Sequence, residues 1–196
     1  MSKLVYFLLL DQYAEWEAAY LASALRRFGH AVETVSPAAT PLRSLGGFTL
    51  LPDTDVARVP TAFDGLALIG GNSWRSQSAC ETVPLVRRAL EQGAVVGAIC
   101  DAAAFLGTLG LLDHARHTCN DLADLKAWAG DRYHGEAHFL PRQVVRDGRL
   151  VTANGTATLE FAREFLLALE AADRRDIQNW YLFHKLGCYV APPPDI

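Results

Sequence analysis

The sequence predicts an α/β protein, a three-layer sandwich around a mostly parallel central sheet. Two observations carry that prediction. Apolar runs without polar alternation recur at Lys3–Leu10 ("KLVYFLLL"), Leu66–Ile69 ("LALI") and Ala94–Ile99 ("AVVGAI"). Such runs suit strands covered on both faces, as in a parallel sheet. Helix-compatible stretches stand between these runs, and strands that alternate with helices build layered α/β folds.

Taken in order, Lys3–Leu10 is a central strand, and Tyr13–Phe28 reads as a helix stopped at Gly29. Glycine suits that position because a helix commonly ends on a left-handed residue. Ala31–Val35 is a second strand. In "SLGGFTLLPD", Gly46-Gly47 turns a small hairpin. "VPTAFDG" is loop. Leu66–Ile69 is a strand ending in Gly70-Gly71, and a helix follows at Val83–Gln92. The strand Ala94–Ile99 leads directly into a helix at Asp101–Leu109. "LLDHARHTCN" reads as a turn and a short strand, and Asp121–Trp128 as a helix. "VVRDGRLVTANG" is a hairpin turning at Asp147-Gly148, before a long amphipathic helix over Thr158–Ala171. A last helix, at about 173–187, carries Ile177, Trp180, Tyr181 and His184 on one stripe, which is expected to pack on its own domain. With 196 residues, no internal repeat and no low-complexity linker, the chain reads as a single domain, 1–196, with that helix as a C-terminal extension.

Composition excludes several classes of function. The chain is 51% hydrophobic and 20% charged with a net charge of −4, ordinary for a soluble globular protein. Its arginines are scattered in pairs, so no basic stripe suggests nucleic acid and no basic amphipathic face suggests a membrane surface. The opening "MSKLVYFLLLDQ" lacks a small-residue cleavage site and reads as a strand, which points to a cytoplasmic protein. Ala94–Leu112 carries a single charge, Asp101, but its internal glycines and strand-like start argue for a buried strand plus helix rather than a membrane span. The four cysteines, Cys80, Cys100, Cys119 and Cys188, form no CxxC pair and are expected to be reduced thiols. His134 and His138 in "HGEAH" would share a helix face, but the intervening glycine and nearby strand signals argue against a metal site. No cofactor is implied.

The chemistry concentrates at "AVVGAICDAAAFLG". A strand that turns at once into a helix strains its connecting residue and crowds the neighbouring positions, which must then be small. Ala98 and Ala102 stand two residues either side of Cys100, the spacing of a nucleophile elbow. The sulfur would emerge at the helix N-terminus, where the dipole favours a thiolate; a buried core cysteine at a helix start is the plainer alternative. Asp101 adds a negative charge beside the thiol that opposes ionisation. In "LALIGGNSW", a strand ending in two glycines brings bare backbone close to a ligand, so the Gly71 and Asp101 amides are candidates for an oxyanion hole.

The stretches "AICDAAAFLGTLGLLD", "LIGGNSW" and "DGRLVTANGTATLEFA" resemble the PfpI/ThiJ family, in the class I glutamine amidotransferase-like superfamily that includes the Parkinson-linked protein deglycase. The resemblance spans roughly residues 3–170 in the family's order. It implies a flavodoxin-like, class I glutamine amidotransferase-like sheet order. It matches Cys100 to the family's elbow cysteine and Gly71 to its oxyanion glycine. The family's acidic residue, whose carboxyl hydrogen-bonds the sulfur, falls on Glu17 in "YAEWEAA", with Glu15 as the nearby alternative. Many members carry a histidine shortly after the elbow. Counting without gaps, that position is Asn120, which can orient a substrate but cannot act as a general base. His117 is an auxiliary candidate if the chain bends, and Cys119 a candidate resolving thiol.

The resemblance implies a cysteine-nucleophile enzyme acting on small reactive carbonyl compounds or their adducts, through hydrolase, glyoxalase-like or deglycase chemistry. Cys100, Glu17 and Asn120 would be its catalytic residues. Peptidase or amidase activity is disfavoured without the histidine. The alternatives are a redox or electrophile stress sensor using Cys100 without turnover, and a non-catalytic interaction protein working through its tail helix. A small-molecule substrate and a homodimer or higher homo-oligomer are expected.

Overall fold

The computed structural model describes residues 1–193. In chain order the elements are β1 (Leu4–Leu8), α1 (Glu15–Arg27), β2 (Ala31–Ser36), β3 (Leu42–Arg43), β4 (Thr49–Leu50), β5 (Thr54–Asp55), β6 (Gly65–Leu68), α2 (Gln77–Cys80), α3 (Val83–Glu91) and β7 (Val95–Ile99). They continue with α4 (Asp101–Thr108), α5 (Leu122–Ala129), β8 (Val144–Asp147), β9 (Leu150–Ala153), α6 (Thr158–Leu169) and α7 (Arg174–Leu186).

The seven-stranded sheet has the order β5-β2-β1-β6-β7-β9-β8. All pairings are parallel except β8–β9, the hairpin read at Asp147-Gly148. β3 and β4 form the separate small hairpin expected around Gly46-Gly47.

The apolar run of β1 has its reason in the layers. Side chains alternate across a strand, so Val5, Phe7 and Leu9 face one way, into a core with Leu21 and Leu25 of α1, Phe161 and Phe165 of α6, and Trp180 of α7. Tyr6, Leu8 and Leu10 face the other core, with Trp74, Leu85 of α3, Phe105 of α4 and Leu125 of α5. Neither face of β1 meets water. The stripe on α7 divides: Ile177, Trp180 and Tyr181 are buried against α6, whereas His184 is half-buried over Trp180 and Tyr20.

Some local expectations are corrected. The short strand expected in "LLDHARHTCN" is reduced to one bridge, His117 to Phe139. Side chains take the donors a ladder would use: Arg116 N–H donates to the Asp147 carboxylate and Thr118 N–H to Thr152 Oγ1. At "HGEAH" the structure agrees with the reading of the glycine: Gly135–His138 is a single tight turn, and His134 and His138 share no helix face. Among the described residues no helix is long and apolar enough to cross a membrane, and Ala94–Leu112 divides into β7, α4 and a turn.

The order β1-β6-β7 places three carboxyl ends side by side: Leu10–Tyr13, Gly70-Gly71 and Cys100. Ligands of open α/β sheets bind outside the carboxyl ends of the strands.

Candidate active site

Cys100 sits between β7 and α4 with φ 63° and ψ −134°. A non-glycine residue in this region costs about 1–3 kcal/mol unless its surroundings enforce it. Here Cys100 N–H donates to Ala153 O at 3.0 Å, and Cys100 O accepts Ala103 N–H at 3.0 Å. Those bonds lock the turn at both ends. Ala98 and Ala102 are fully buried on either side, so the crowding read from their spacing is real. The thiol is half-buried, with its sulfur at the start of α4.

Glu17, on the first turn of α1, is 1% exposed. Its Oε2 accepts Gly70 N–H at 2.9 Å, and its carboxyl hydrogen-bonds the Cys100 thiol. Glu15, the alternative, is turned away and accepts Gly46 N–H from the β3–β4 hairpin. Asn120 completes the set: its Nδ2 donates to Cys100 Sγ at 3.2 Å, while its Oδ1 accepts Gly155 N–H at 2.8 Å.

Three glycines make this approach possible. A methyl group at Gly70 would overlap Glu17 Oε2 and lie 2.5 Å from Cys100 Cβ. One at Gly155 would stand 3.0 Å from Cys100 Sγ and 3.1 Å from Glu17 Oε1. Gly71 has φ 146°, and a methyl there would strike the backbone of Gln12 and Tyr13, against which this strand end is laid. Each residue of the Gly70-Gly71 pair therefore has its own reason: Gly70 makes room for the acid and the thiol, Gly71 for the loop after β1.

Known proteins resemble this chain along most of its length. The sequence pattern of the DJ-1/PfpI family matches residues 3–168. The chain belongs to the DJ-1/PfpI family. It is 37% identical to a Bacillus subtilis protein named "uncharacterized protease YdeA", over 93% of this chain and 91% of that one. Among solved structures, a DJ-1 superfamily protein of Agrobacterium tumefaciens superposes with TM-score 0.86 at 34% identity, over 95% of this chain and 99% of that one. A ThiJ/PfpI family protein of Bacillus anthracis does so with TM-score 0.88 at 29% identity, over 94% and 91%. Helix α7 lies beyond the stretch that the family pattern matches.

The charge balance at this DJ-1/PfpI elbow is finely poised. Burial pushes the Glu17 carboxyl up to about 7, against the pull of the Gly70 N–H and the thiol. Burial also pushes the Cys100 thiol up, and the Glu17 charge adds to it; the Asn120 amide and the Asp101 N–H pull the other way. The helix start alone therefore does not lower the thiol, contrary to the simplest reading of the elbow. When the proton sits on Glu17, the carboxylate no longer opposes ionisation, and two N–H donors remain on the sulfur. Asp101 is itself offset. Its Oδ2 accepts Arg75 Nε at 3.2 Å, and Arg75 also forks onto Asp124 at 2.5 and 3.3 Å and lies over the Trp128 ring.

His117 and Cys119 are not brought to the sulfur. His117 is fully buried; its ring nitrogens hydrogen-bond Ala115 O and Tyr133 Oη, both at 2.7 Å. Cys119 donates to Asp121 O and lies in the core on the α3–α5 face, whereas Cys100 packs against the other core. A cavity of about 460 Å3 opens beyond Asn120, lined also by Leu122, Phe139, Arg142, Gln143 and Asn154. Arg75 and this cavity are absent from the sequence reading, and Gly155 enters it only as the turn that ends "VVRDGRLVTANG" before the long helix. Only "ANG" directly after the β9 strand hinted that backbone must pass close to something.

Proposed function

We propose that the protein is a cysteine-nucleophile enzyme that adds Cys100 to small reactive carbonyl compounds. One observation carries the reading: the strained Cys100 sulfur meets both a buried carboxyl that holds its proton near neutrality and an amide donor at the edge of a cavity. The thiol proton passes to Glu17. The thiolate forms a bond to the carbonyl carbon, and the C=O electron pair moves onto oxygen. Backbone N–H groups of Gly71 and Asp101 receive that oxyanion, and Glu17 returns the proton to it, giving a hemithioacetal.

Two B. subtilis relatives are named uncharacterized proteases. Peptide cleavage also needs a group that protonates a leaving amine. The residue that meets the sulfur from the loop before α5 is an amide, Asn120, and His117 is engaged elsewhere, which favours aldehyde chemistry for this chain. The test is methylglyoxal consumption by the wild type and by Cys100→Ser. Turnover lost in the variant, by more than about a thousandfold, supports the proposal. No turnover by a wild type whose Cys100 still alkylates readily would replace it with a sensor role.

A further inference from the structure

The cavity beside the elbow is rich in hydrogen-bond donors. Asn120, Asn154 and Gln143 all line it, and the carbonyl oxygen of each faces the loop Asn154–Thr156. Asn120 Oδ1 accepts Gly155 N–H. Asn154 Oδ1 accepts Thr156 N–H at 3.0 Å. The Thr156 hydroxyl lies 2.7 Å from Asn154 Oδ1 and 3.0 Å from Gln143 Oε1, and its single hydrogen serves one of the two. The loop Asn154–Thr156 thus holds three side-chain amides at the cavity: the NH2 groups of Asn154 and Gln143 take no hydrogen bond among the described residues, and Asn120 keeps the N–H that does not touch Cys100 Sγ. The same cavity holds one cation, Arg142. Its backbone is tied to Leu140 and Thr118, yet among the described residues its guanidinium takes no ion pair and no hydrogen bond. The one carboxylate in the lining, Asp121, turns one oxygen to the start of α5, where it accepts Asp124 N–H at 2.8 Å and the helix N-terminus offsets part of its charge. The walls between these polar groups are Leu122, Phe139 and Pro141.

We propose that this cavity binds a carboxylate group, with Arg142 as its principal cation, so that the preferred substrates are small carbonyl compounds that also carry a carboxylate. The inference rests on the carbonyl-addition reading for its substrate, though not for the binding of the anion. An ionised carboxylate is acceptor-only and pairs best with a guanidinium fork and amide N–H groups, which is what Arg142 and the three amides provide. Asn120 joins the two halves of the site: one N–H touches Cys100 Sγ, and the side chain also lines the cavity. A ligand whose carboxylate reaches Arg142 would bring its neighbouring carbonyl back towards the sulfur.

The experiment compares alkylation of Cys100 by iodoacetate and iodoacetamide, which differ in carrying a carboxylate or a neutral amide. The label is located by mass spectrometry. Taking the ratio of the two rates at one pH cancels the thiolate fraction, so the readout reports anion recognition and not thiol acidity. It also needs no turnover, and it stays informative if the carbonyl reading fails. The ratio is expected to fall about tenfold in Arg142→Ala, the size of one charge-assisted contact, and to be partly kept in Arg142→Lys. Arg142 is exposed, so neither change threatens the fold. Arg26→Ala, at the far end of α1, removes the same charge away from the cavity and should leave the ratio unchanged. A ratio unaltered in Arg142→Ala, or lowered equally in Arg26→Ala, would overturn the proposal. If the carbonyl reading also holds, Arg142→Ala should weaken turnover of a 2-oxo acid such as glyoxylate more than that of methylglyoxal.

Discussion

Cys100 and Cys119 are two thiols on opposite faces of one sheet, and they differ in almost everything except their chemistry. Cys119 is 3% exposed, donates a hydrogen bond to a backbone carbonyl, and is pushed up to about 11, chiefly by burial. Cys100 is half-buried and held at positive φ between a carboxyl, an amide and a helix N–H. Burial raises both. The difference lies in what else reaches each sulfur: at Cys100 the backbone is bent to deliver donors and a proton acceptor, whereas at Cys119 the packing shuts them out. Reactivity at a thiol is then a property of the turn and its neighbours rather than of exposure alone.

The sharpest way to break the contrast is to close the gap through which the acid reaches the thiol. Gly70→Ala puts a methyl group onto Glu17 Oε2 and Cys100 Cβ, and neither atom can retreat: Glu17 is buried and Cys100 is the locked turn. Overpacking of this kind costs about 1–3 kcal/mol. Thermal unfolding should show the loss, and Cys100 turnover should fall furthest here among variants that keep the nucleophile. Retention of both stability and activity would mean that Glu17 is not held against the sulfur.

The next effect separates the proton from the packing. Glu17 has a raised folded-state value, about 7 against an ordinary 4.5. The native state therefore holds a proton that the unfolded chain releases, and stability falls as pH rises from 4.5 through about 7. Glu17→Gln, of the same shape and without charge, should flatten that decline in chemical denaturation. In the alkylation profile, removing the negative charge removes one of the causes that raise Cys100. The midpoint should move to lower pH, and any inflection near 7 should vanish. A midpoint that moves up would assign Glu17 to stabilising the thiolate instead. Cys119 should not respond in either case.

Much of this arrangement was legible before any coordinates, and the legible parts share a cause. The strand–cysteine–helix turn at 99–101 showed because it imposes small neighbours within a few residues, and local crowding is written locally. The unbroken apolar runs of β1, β6 and β7 showed because both sheet faces are buried. Glu17 and Asn120 entered through resemblance, since nothing in the periodicity of α1 marks a carboxyl that will be enclosed by Gly70, 53 residues away. Gly155 read as an ordinary turn before α6, because its purpose is a sulfur on another strand. β5 escaped notice because an edge pairing over Thr54–Asp55 has no room for a pattern. The side on which His117 lies depended on Tyr133 Oη, which its spacing from Asn120 could not reveal.

The smallest expected effect concerns the charge that distinguishes the two thiols at longer range. Asp101 follows the nucleophile directly, and its charge works against ionisation of Cys100. Arg75 stands on it at 3.2 Å while gripping Asp124 and covering Trp128. Because Arg75 is well exposed to water and Asp101 partly so, solvent screens their ion pair and limits its effect. Arg75→Ala leaves Asp101 uncompensated, so the Cys100 alkylation midpoint should move to higher pH and the rate at pH 7 should drop about two- to threefold. Asp101→Asn should shift the midpoint the opposite way. Added salt should shrink the difference between wild type and Arg75→Ala. If Arg75→Ala instead accelerates alkylation, the guanidinium is shielding the sulfur rather than balancing its neighbour, and the contrast between Cys100 and Cys119 owes more to access than to charge.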